Sequence, residues 1–262
     1  MLITSKKIFI FIHGSELLNI NSFYKYIFSY LLIRKNTYFI ANSDAIGVLF
    51  FKTTGRSVNF IQHPFGDYSN TWVSRINNTK SEINFFTVCR LDKRKNIKNT
   101  IVALQNLMIN KGLKFNYTIA GFGDEYPQLE QLIESNNLQD NIRLYGAISD
   151  EEKEVFFKNN DYFLMPSIFD KEDGDIEGFG IVFIEACYYG LPSLCGDTGG
   201  MVEAVIHNKT GFHCDGSIDD IMNKIEKMIK FNFNKVVLQE HAKRFDYKNQ
   251  RKLIKFIKDC EN

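Results

Sequence analysis

The segment Glu177-Gly-Phe-Gly-Ile-Val-Phe-Ile-Glu185 contains two carboxylates separated by seven residues. Glu177 precedes a Gly-Phe-Gly turn, and Glu185 lies inside the apolar helix that we predict after this turn. The helix is expected to stop at Gly190, with Pro192 just beyond it. Because the first amides of a helix are unpaired and lie at its positive end, the segment predicts an anion site between two acids.

Strand-like and helix-like segments alternate on both sides of this segment. Buried strands are predicted at Asn84–Cys89, Phe115–Ala120, Ile142–Tyr145, Tyr162–Met165 and Ser193–Cys195, and helices at Asn96–Asn110, Tyr126–Glu134 and Asp150–Lys158. Repeated strand–helix units with short links predict a parallel sheet that is covered on both faces. In such sheets ligands bind beyond the carboxyl ends of the strands.

The first eighty residues follow the same pattern less regularly. Short strands are predicted at Lys7–Ile12, Thr37–Ala41 and Val58–Gln62, with a helix at Ser22–Lys35. This region resembles the last portion of a second strand–helix domain. We therefore predict three regions: a partial N-terminal domain over 1–80, a C-terminal domain over 81–245, and a final helix over 246–262 that packs back toward the N-terminal part.

Composition excludes several classes of protein. The 262 residues include 32 Lys and Arg against 31 Asp and Glu, so nothing indicates bulk nucleic-acid binding. The five cysteines form no Cys-x-x-Cys pair, which favours buried thiols in a reduced compartment over a metal site. No stretch reaches the roughly 18 apolar residues of a membrane span. A cytoplasmic protein, soluble or peripheral at the inner face of the plasma membrane, is expected.

A set of ordered motifs resembles the retaining glycosyltransferases of family 4. The matching segments are Arg90-Leu-Asp-Lys-Arg-Lys95 (G-R-L-x-x-x-K), Ile119-Ala-Gly121-Phe-Gly123 (a strand and Gly-x-Gly turn), Met165-Pro166-Ser167 (P-S), Glu177 to Glu185 (E-x7-E), Gly199-Gly200-Met-Val-Glu203 (G-G-x-x-E) and Asn208-Lys-Thr-Gly211-Phe212 (N-x-x-G). The resemblance covers residues 38–250, with Cys89 where the family has glycine. It implies a GT-B fold: an α/β protein with a complete C-terminal Rossmann-like domain and a truncated N-terminal one.

The resemblance also implies a role for individual residues. Glu177 would contact the donor sugar, and His13, at the end of a strand, would lie beside the reacting centre. Donor binding would involve Arg90, Lys95, Gly121, Gly178, Phe179, Gly180, Ile181 and Glu185. Within this set, Arg90 and Lys95 would bind the diphosphate and Glu185 the ribose.

The residues alone leave simpler interpretations open. The Arg90–Lys95 stretch could be a solvated basic loop, and Glu177 could be a favourable charge at a helix start. A histidine such as His13 after a strand is more often structural. Glu185 is harder to explain in this way, because an ionised group in an apolar helix needs a hydrogen-bond partner.

Three further segments allow alternative interpretations. Gly121-Phe-Gly123 begins like a dinucleotide fingerprint but has Tyr126 where the third glycine belongs. Asp173-Gly-Asp175 mimics a metal-binding Asp-x-Asp motif, yet solvated loop acids are the better interpretation, so no metal is expected. The Ser22–Lys35 helix is either a core helix with snorkelling cations or a face for anionic lipid.

The expected function is that of a retaining, metal-independent hexosyltransferase. It would move a sugar from a UDP- or GDP-sugar, without a cofactor, to a glycan or lipid-linked acceptor in bacterial surface polysaccharide or lipopolysaccharide synthesis. Full family members are longer at the N-terminus, which leaves an alternative open. The chain would then be a donor-binding subunit or inactive remnant of a split glycosyltransferase, and a partner chain would supply the missing half.

Overall fold

A computed structural model describes residues 6–18, 22–68, 82–170, 175–249 and 251–261. The described residues form two sheets in which every strand pair is parallel. The first has the order β1-β2-β3, with β1 Ile8–Ile12, β2 Thr37–Ala41 and β3 Phe60–Ile61. The second has the order β6-β5-β4-β7-β8-β9, with β4 Ile83–Val88, β5 Phe115–Ala120, β6 Ile142–Gly146, β7 Tyr162–Met165, β8 Ser193–Gly196 and β9 Gly211–Cys214.

Helices connect these strands. Within the described ranges they are α1 Ser15–Leu18, α2 Ser22–Ile33, α3 Asp44–Thr54, α4 Ile97–Lys111, α5 Tyr126–Ser135, α6 Asp150–Asn159, α7 Ile181–Tyr188, α8 Met201–Ala204, α9 Ile218–Lys230, α10 Lys235–Lys243 and α11 Arg251–Glu261. The sequence interpretation missed α1, α3, α8, α10 and β9. It also made the third strand too long, because only Phe60–Ile61 pairs with β2.

The six-stranded sheet separates two hydrophobic cores. Successive strand residues face opposite sides, so Phe85 of β4 packs with the helices of one face and Phe86 with those of the other. Helices α4 and α9 cover the first face, and α7 and α10 cover the second. Burial on both faces explains why the β4 sequence is almost continuously apolar.

The three-stranded sheet has its own small core, to which Ile12, Phe39 and Phe50 contribute. The final helix, α11, lies against this sheet. Its Phe256 ring is 4.9 Å from that of Phe60 and 6.1 Å from that of Tyr38. The domain boundary near residues 80 and 81 lies outside the described residues, and the three regions stay a prediction.

The strand order reverses direction between β4 and β7. Along the chain, β5 and β6 are added on one side of β4, and β7 is then added on its other side. Such a reversal opens a crevice at the carboxyl ends of the central strands. The loops after β4, β5 and β7 meet there, and they contain the Arg90–Lys95, Gly121 and Glu177 segments.

Gly121 shows how tightly these loops pack. Its φ is +136°, and a Cβ atom there would lie 1.8 Å from the backbone oxygen of Cys89. We expect Gly121→Ala to lower the free energy of unfolding by about 2–3 kcal/mol, through backbone strain and overpacking. Gly112→Ala is the matched control, since Gly112 also has a positive φ but has open space around it. Gly112→Ala should lower the free energy of unfolding, measured by urea denaturation, by about 1 kcal/mol. Equal losses in both variants would contradict the crowding at Gly121.

Candidate functional site

A cavity of 610 Å³ lies at the carboxyl ends of the central strands. Arg90 and Arg94 line it from the loop after β4, Gly123 from the loop after β5, and Asp175 from the loop after β7. Ser15 of the N-terminal part completes one wall. The cavity thus lies where the two sheets face each other, as the strand order predicts.

A short 3-10 turn over Lys93–Lys95 sets the direction of the basic side chains. The Asp92 side chain caps it by accepting a hydrogen bond from the Lys95 amide at 3.2 Å. Asn96 ends the turn in the left-handed conformation. As a result Arg94 and Lys95 point inward, each with 8% of its surface exposed, whereas Lys93 is exposed.

Glu177 lies between these two buried cations. Its Oε2 accepts a hydrogen bond from Arg94 Nη1 at 2.7 Å and forms an ion pair with Lys95 Nζ. Burial by itself raises the pKa of Glu177, but the charges and hydrogen bonds of Lys95 and Arg94 outweigh it, and the pKa lies below its usual value. Glu177 is therefore an ionised, partnered carboxylate rather than a loose charge at a helix start.

Arg94 joins Glu177 to a second acid. Its Nε donates to Asp175 Oδ2 at 2.9 Å, and Arg90 Nη2 lies 3.9 Å from the same oxygen. The interpretation of Asp175 as a solvated loop acid is wrong, because this carboxylate is paired with a buried arginine. Asp173 lies outside the described residues.

Arg90 differs from its two neighbours because 69% of its side chain is exposed. Its Nε donates to Asp92 at 2.8 Å, and the rest of the guanidinium faces the cavity. It can therefore reach an incoming anion without first breaking a buried ion pair.

The Gly178–Ile181 turn brings the two sheets together. A Cβ atom on Gly178 would lie 2.3 Å from the His13 backbone oxygen and 2.6 Å from Asn42 Nδ2, so only glycine fits. Gly180, with φ +83°, begins α7. No described residue accepts a hydrogen bond from the amides of Phe179, Gly180 and Ile181. These unpaired amides lie where the sequence predicts an anion site, and that site stays a prediction.

The Phe179 side chain does not face the cavity. It is 1% exposed and packs against the rings of His63 at 5.2 Å and Phe245 at 5.4 Å. Only the backbone of Phe179 can contact a ligand. The Gly121 amide is likewise committed, because it donates to the Gly146 oxygen at 2.6 Å.

Glu185 lies one turn into α7 with a partner that the sequence interpretation did not identify. Lys153 Nζ of α6 is 3.0 Å from Glu185 Oε1. Burial raises the pKa of the nearby Tyr68, and the negative charge of Glu185 raises it further. The hydrogen-bond partner expected for Glu185 is thus present within the chain, and a ribose hydroxyl would be an additional one.

His13 follows β1 and is exposed, with its Nδ1 3.5 Å from Asn42 Nδ2. Its carbonyl borders Gly178. The structure therefore brings His13 close to the Glu177–Gly178 segment from the opposite sheet. The Gly121 amide already donates within the protein, and the Phe179 side chain is buried away from the cavity.

The described residues contain one side-chain cluster that could hold a metal ion. Among them, the one set of His, Cys, Asp and Glu side chains with metal-ligand spacing is Asp44, His63 and Glu203, whose ligand atoms lie within 4.8 Å of one another. None of the described helices has the length and apolar character needed to cross a membrane.

Comparison with known proteins supplies the family context. A family model described as "Glycosyl transferases group 1" matches residues 70–258. The amylovoran biosynthesis glycosyltransferase AmsK of Erwinia amylovora is 33% identical over 130 residues, which is 50% of this chain and 31% of the relative. A GDP-mannose-dependent alpha-(1-6)-phosphatidylinositol monomannoside mannosyltransferase of Mycobacterium tuberculosis is 33% identical over 112 residues, 42% of this chain and 29% of the relative. The matches thus span less than a third of these curated relatives.

Solved structures match nearly the whole chain. A glycosyltransferase from Rickettsia africae superposes with a TM-score of 0.80 at 17% identity, over 99% of this chain and 72% of that structure. The Anabaena protein HepE in complex with UDP and glucose gives 0.77 at 20% identity, over 97% and 72%. At such identities the likeness shows the fold, and it confirms the predicted GT-B type with its Rossmann-like parallel sheets.

Proposed function

Since this chain belongs to the glycosyl transferases group 1 family, we propose that it transfers a sugar from a nucleotide-diphosphate sugar. The acceptor is a glycan or a lipid-linked glycan of the bacterial surface. The observation that carries the proposal is the Arg94–Lys95–Glu177 cluster beside the N-terminus of α7. This cluster offers cations and unpaired amides for phosphate, next to a carboxylate for sugar hydroxyls.

The diphosphate would lie across the loop after β4 and the start of α7. Arg90 would approach it from the cavity and make paired hydrogen bonds to its oxygens. The amides of Gly178–Ile181 would donate from the other side. Because negative charge grows on the diphosphate as the sugar leaves, these groups stabilise the transition state more than the ground state.

Lys95 would take part by exchanging partners. It is ion-paired with Glu177, so a phosphate oxygen would compete with that carboxylate for the ammonium group. Glu177 would keep Arg94 as its partner and turn a lone pair toward a sugar hydroxyl. The same cations would balance the diphosphate charge without a metal ion.

Retention of configuration follows in this proposal from attack by the acceptor hydroxyl on the face of the sugar that the diphosphate leaves, with the hydroxyl proton passing to an oxygen of the leaving diphosphate. No protein nucleophile is then required, and His13 contributes a polar group beside the reacting centre. The names of the two relatives, which refer to amylovoran and to a phosphatidylinositol mannoside, support a glycan or lipid-linked acceptor. Such acceptors place the reaction in the cytoplasm or at the inner face of the plasma membrane.

A second candidate function rests on the edge of the small sheet. Within the described ranges β1 pairs with β2 alone, through Ile8, Ile10 and Ile12, so Phe9 and Phe11 direct their backbone groups to an open edge. An apolar strand with an open edge can accept another strand. The chain would then bind the donor and need a partner polypeptide for transfer.

One experiment tests both candidates. UDP- and GDP-sugars are titrated into the purified chain by calorimetry, and sugar release and transfer are measured in the same preparation. Binding with transfer supports the complete enzyme. Binding without transfer supports the donor-binding subunit, and the absence of any nucleotide-sugar binding contradicts both.

Glu185→Gln tests the ribose contact. A hydrogen bond to a charged group contributes about 1.5–3 kcal/mol, so we expect the donor dissociation constant to rise about tenfold or more. Calorimetry with the best donor measures it, and Glu130→Gln, an exposed glutamate of α5, is the control. Unchanged donor affinity would exclude Glu185 from the site and leave it as the structural partner of Lys153.

A further inference from the structure

We propose that Glu203 is a positioning residue that fastens the small sheet to the large one and thereby fixes His13 against Gly178. Glu203 lies on α8 of the large sheet, and it binds the start of α3 on the small sheet. We call Glu203, His63 and the Asp44–Ala45 amides the clasp. The consequence for transfer rests on the proposed function, whereas the clasp itself does not.

The clasp is a helix cap supplied from the other sheet. Glu203 Oε2 accepts a hydrogen bond from the Asp44 amide, and Oε1 accepts one from the Ala45 amide, each at 2.9 Å. Ser43 Oγ accepts from the next amide, that of Ile46, at 3.1 Å. A carboxylate is stabilised at a helix N-terminus by the unpaired amides and by the positive end of the dipole.

His63 joins the cap to the turn at the candidate active site. Its Nε2 is 3.0 Å from Glu203 Oε2, and its ring is 5.2 Å from the ring of Phe179. Burial by itself raises the pKa of Glu203, but the bonds from His63 and from the Ala45 and Asp44 amides outweigh it, and the pKa lies below its usual value. Glu203 therefore stays ionised and holds the amides as a charged acceptor.

The position of the clasp explains why it would matter for transfer. Asn42 lies two residues before Asp44, and its side chain borders both Gly178 and His13. On the other side, the Gly200 amide at the start of α8 donates to the Glu177 oxygen at 3.0 Å. A short path through α8 thus connects the backbone of Glu177 to the loop that carries Asn42. Small displacements of reacting groups lower the rate of reaction strongly.

The side chains of Asp44, His63 and Glu203 have the spacing of a cation site, but the contacts favour the clasp. Both oxygens of Glu203 already accept backbone amides, and the positive end of α3 opposes a cation. A titration with Zn²⁺ separates the two interpretations. Stoichiometric binding that Glu203→Gln abolishes would overturn the clasp in favour of a metal site, and no binding supports the clasp.

Hydrogen exchange tests the clasp without any substrate. In Glu203→Ala, we expect the Asp44 and Ala45 amides to exchange at least about tenfold faster, because a hydrogen bond to a charged group contributes about that factor. The Ile46 amide, bonded to Ser43, and the amides of β4 should change much less, which shows that the variant is folded. Glu240→Ala, which removes an exposed carboxylate of α10, is the control. Unchanged exchange at Asp44 and Ala45 would overturn the proposal.

Kinetics test the positioning role. With Glu203→Ala we expect the donor dissociation constant to stay within about twofold and kcat to fall about tenfold or more. Glu203→Gln keeps one carbonyl acceptor, so it should restore part of kcat. An equal loss of donor affinity and kcat would assign Glu203 to the donor site and overturn the proposal. If the wild-type protein binds no nucleotide sugar, the proposed function fails, while the exchange experiment still decides the clasp.

Discussion

Glu177→Gln is expected to lower kcat/KM for sugar transfer by about 10²–10³-fold, the usual effect of removing one preorganised polar contact from an active site. The carboxylate accepts hydrogen bonds from Arg94 and Lys95 in the structure. Both donors bind Oε2, so a glutamine can keep its carbonyl oxygen there, and its NH₂ group takes the place of Oε1. It therefore loses the negative charge that orients both cations, as well as the acceptor for a sugar hydroxyl.

A comparison of nucleotide affinity with kcat in Glu177→Gln identifies the role of Glu177. Since the diphosphate is held by other groups, nucleotide affinity in Glu177→Gln should change far less than kcat, and calorimetry with the free nucleotide measures it. Glu134→Gln, an exposed glutamate of α5, controls for the loss of one carboxylate. Transfer by Glu177→Gln within about threefold of the wild-type rate would exclude Glu177 from the reacting centre, because the loss of a hydrogen bond to a charged group costs more than this.

The sequence was informative where a structural signal is local. Glu177, the Gly-Phe-Gly turn and Glu185 are close in the chain, and a helix start creates their arrangement by itself. Arg90 and Lys95 are likewise separated by one short turn. These residues could be predicted to lie at the carboxyl edge of a parallel sheet before any coordinates were available.

The partners of these residues could not be predicted, because each comes from a distant part of the chain. Arg94 and Glu177 are 83 residues apart, and Lys153 and Glu185 are 32 apart. The sequence does not single out Arg94, because it shares its stretch with Asp92 and Lys93. Only the 3-10 turn, which points Arg94 inward and Lys93 outward, distinguishes the two.

The missed helix α3 has a similar explanation. Its sequence, Asp44–Thr54, mixes buried residues such as Phe50 with exposed ones such as Phe51, so no clean polar face marks the helical period. The available signals were its ends, Ser43 as the N-cap and Gly55 as the C-cap. Since α3 carries the amides that bind Glu203, missing this helix also concealed the contact between the two sheets.

Arg90→Ala combined with Lys95→Ala is expected to weaken nucleotide-diphosphate binding by about 10²–10⁴-fold, because each removes a charge-assisted hydrogen bond of about 1.5–3 kcal/mol. The two single variants should differ. Arg90 is mostly exposed, and its ion pairs are with the partly exposed carboxylates of Asp92 and Asp175. Arg90→Ala should therefore remove a phosphate contact with little effect on folding. Lys95→Ala also leaves Glu177 with Arg94 alone, so it should lower stability as well as affinity.

A charge control and a comparison of two ligands decide whether these cations bind phosphate. Lys98→Ala removes one exposed positive charge from α4, and it should shift affinity only slightly because exposed charges are screened at physiological salt. The affinity lost in the Arg90 and Lys95 variants should be largest for a nucleoside diphosphate and small for the nucleoside itself, which lacks the phosphates. If the double variant binds the diphosphate as tightly as the wild type, then the phosphates lie elsewhere, and the Lys95–Glu177 pair is a structural ion pair rather than half of a donor site.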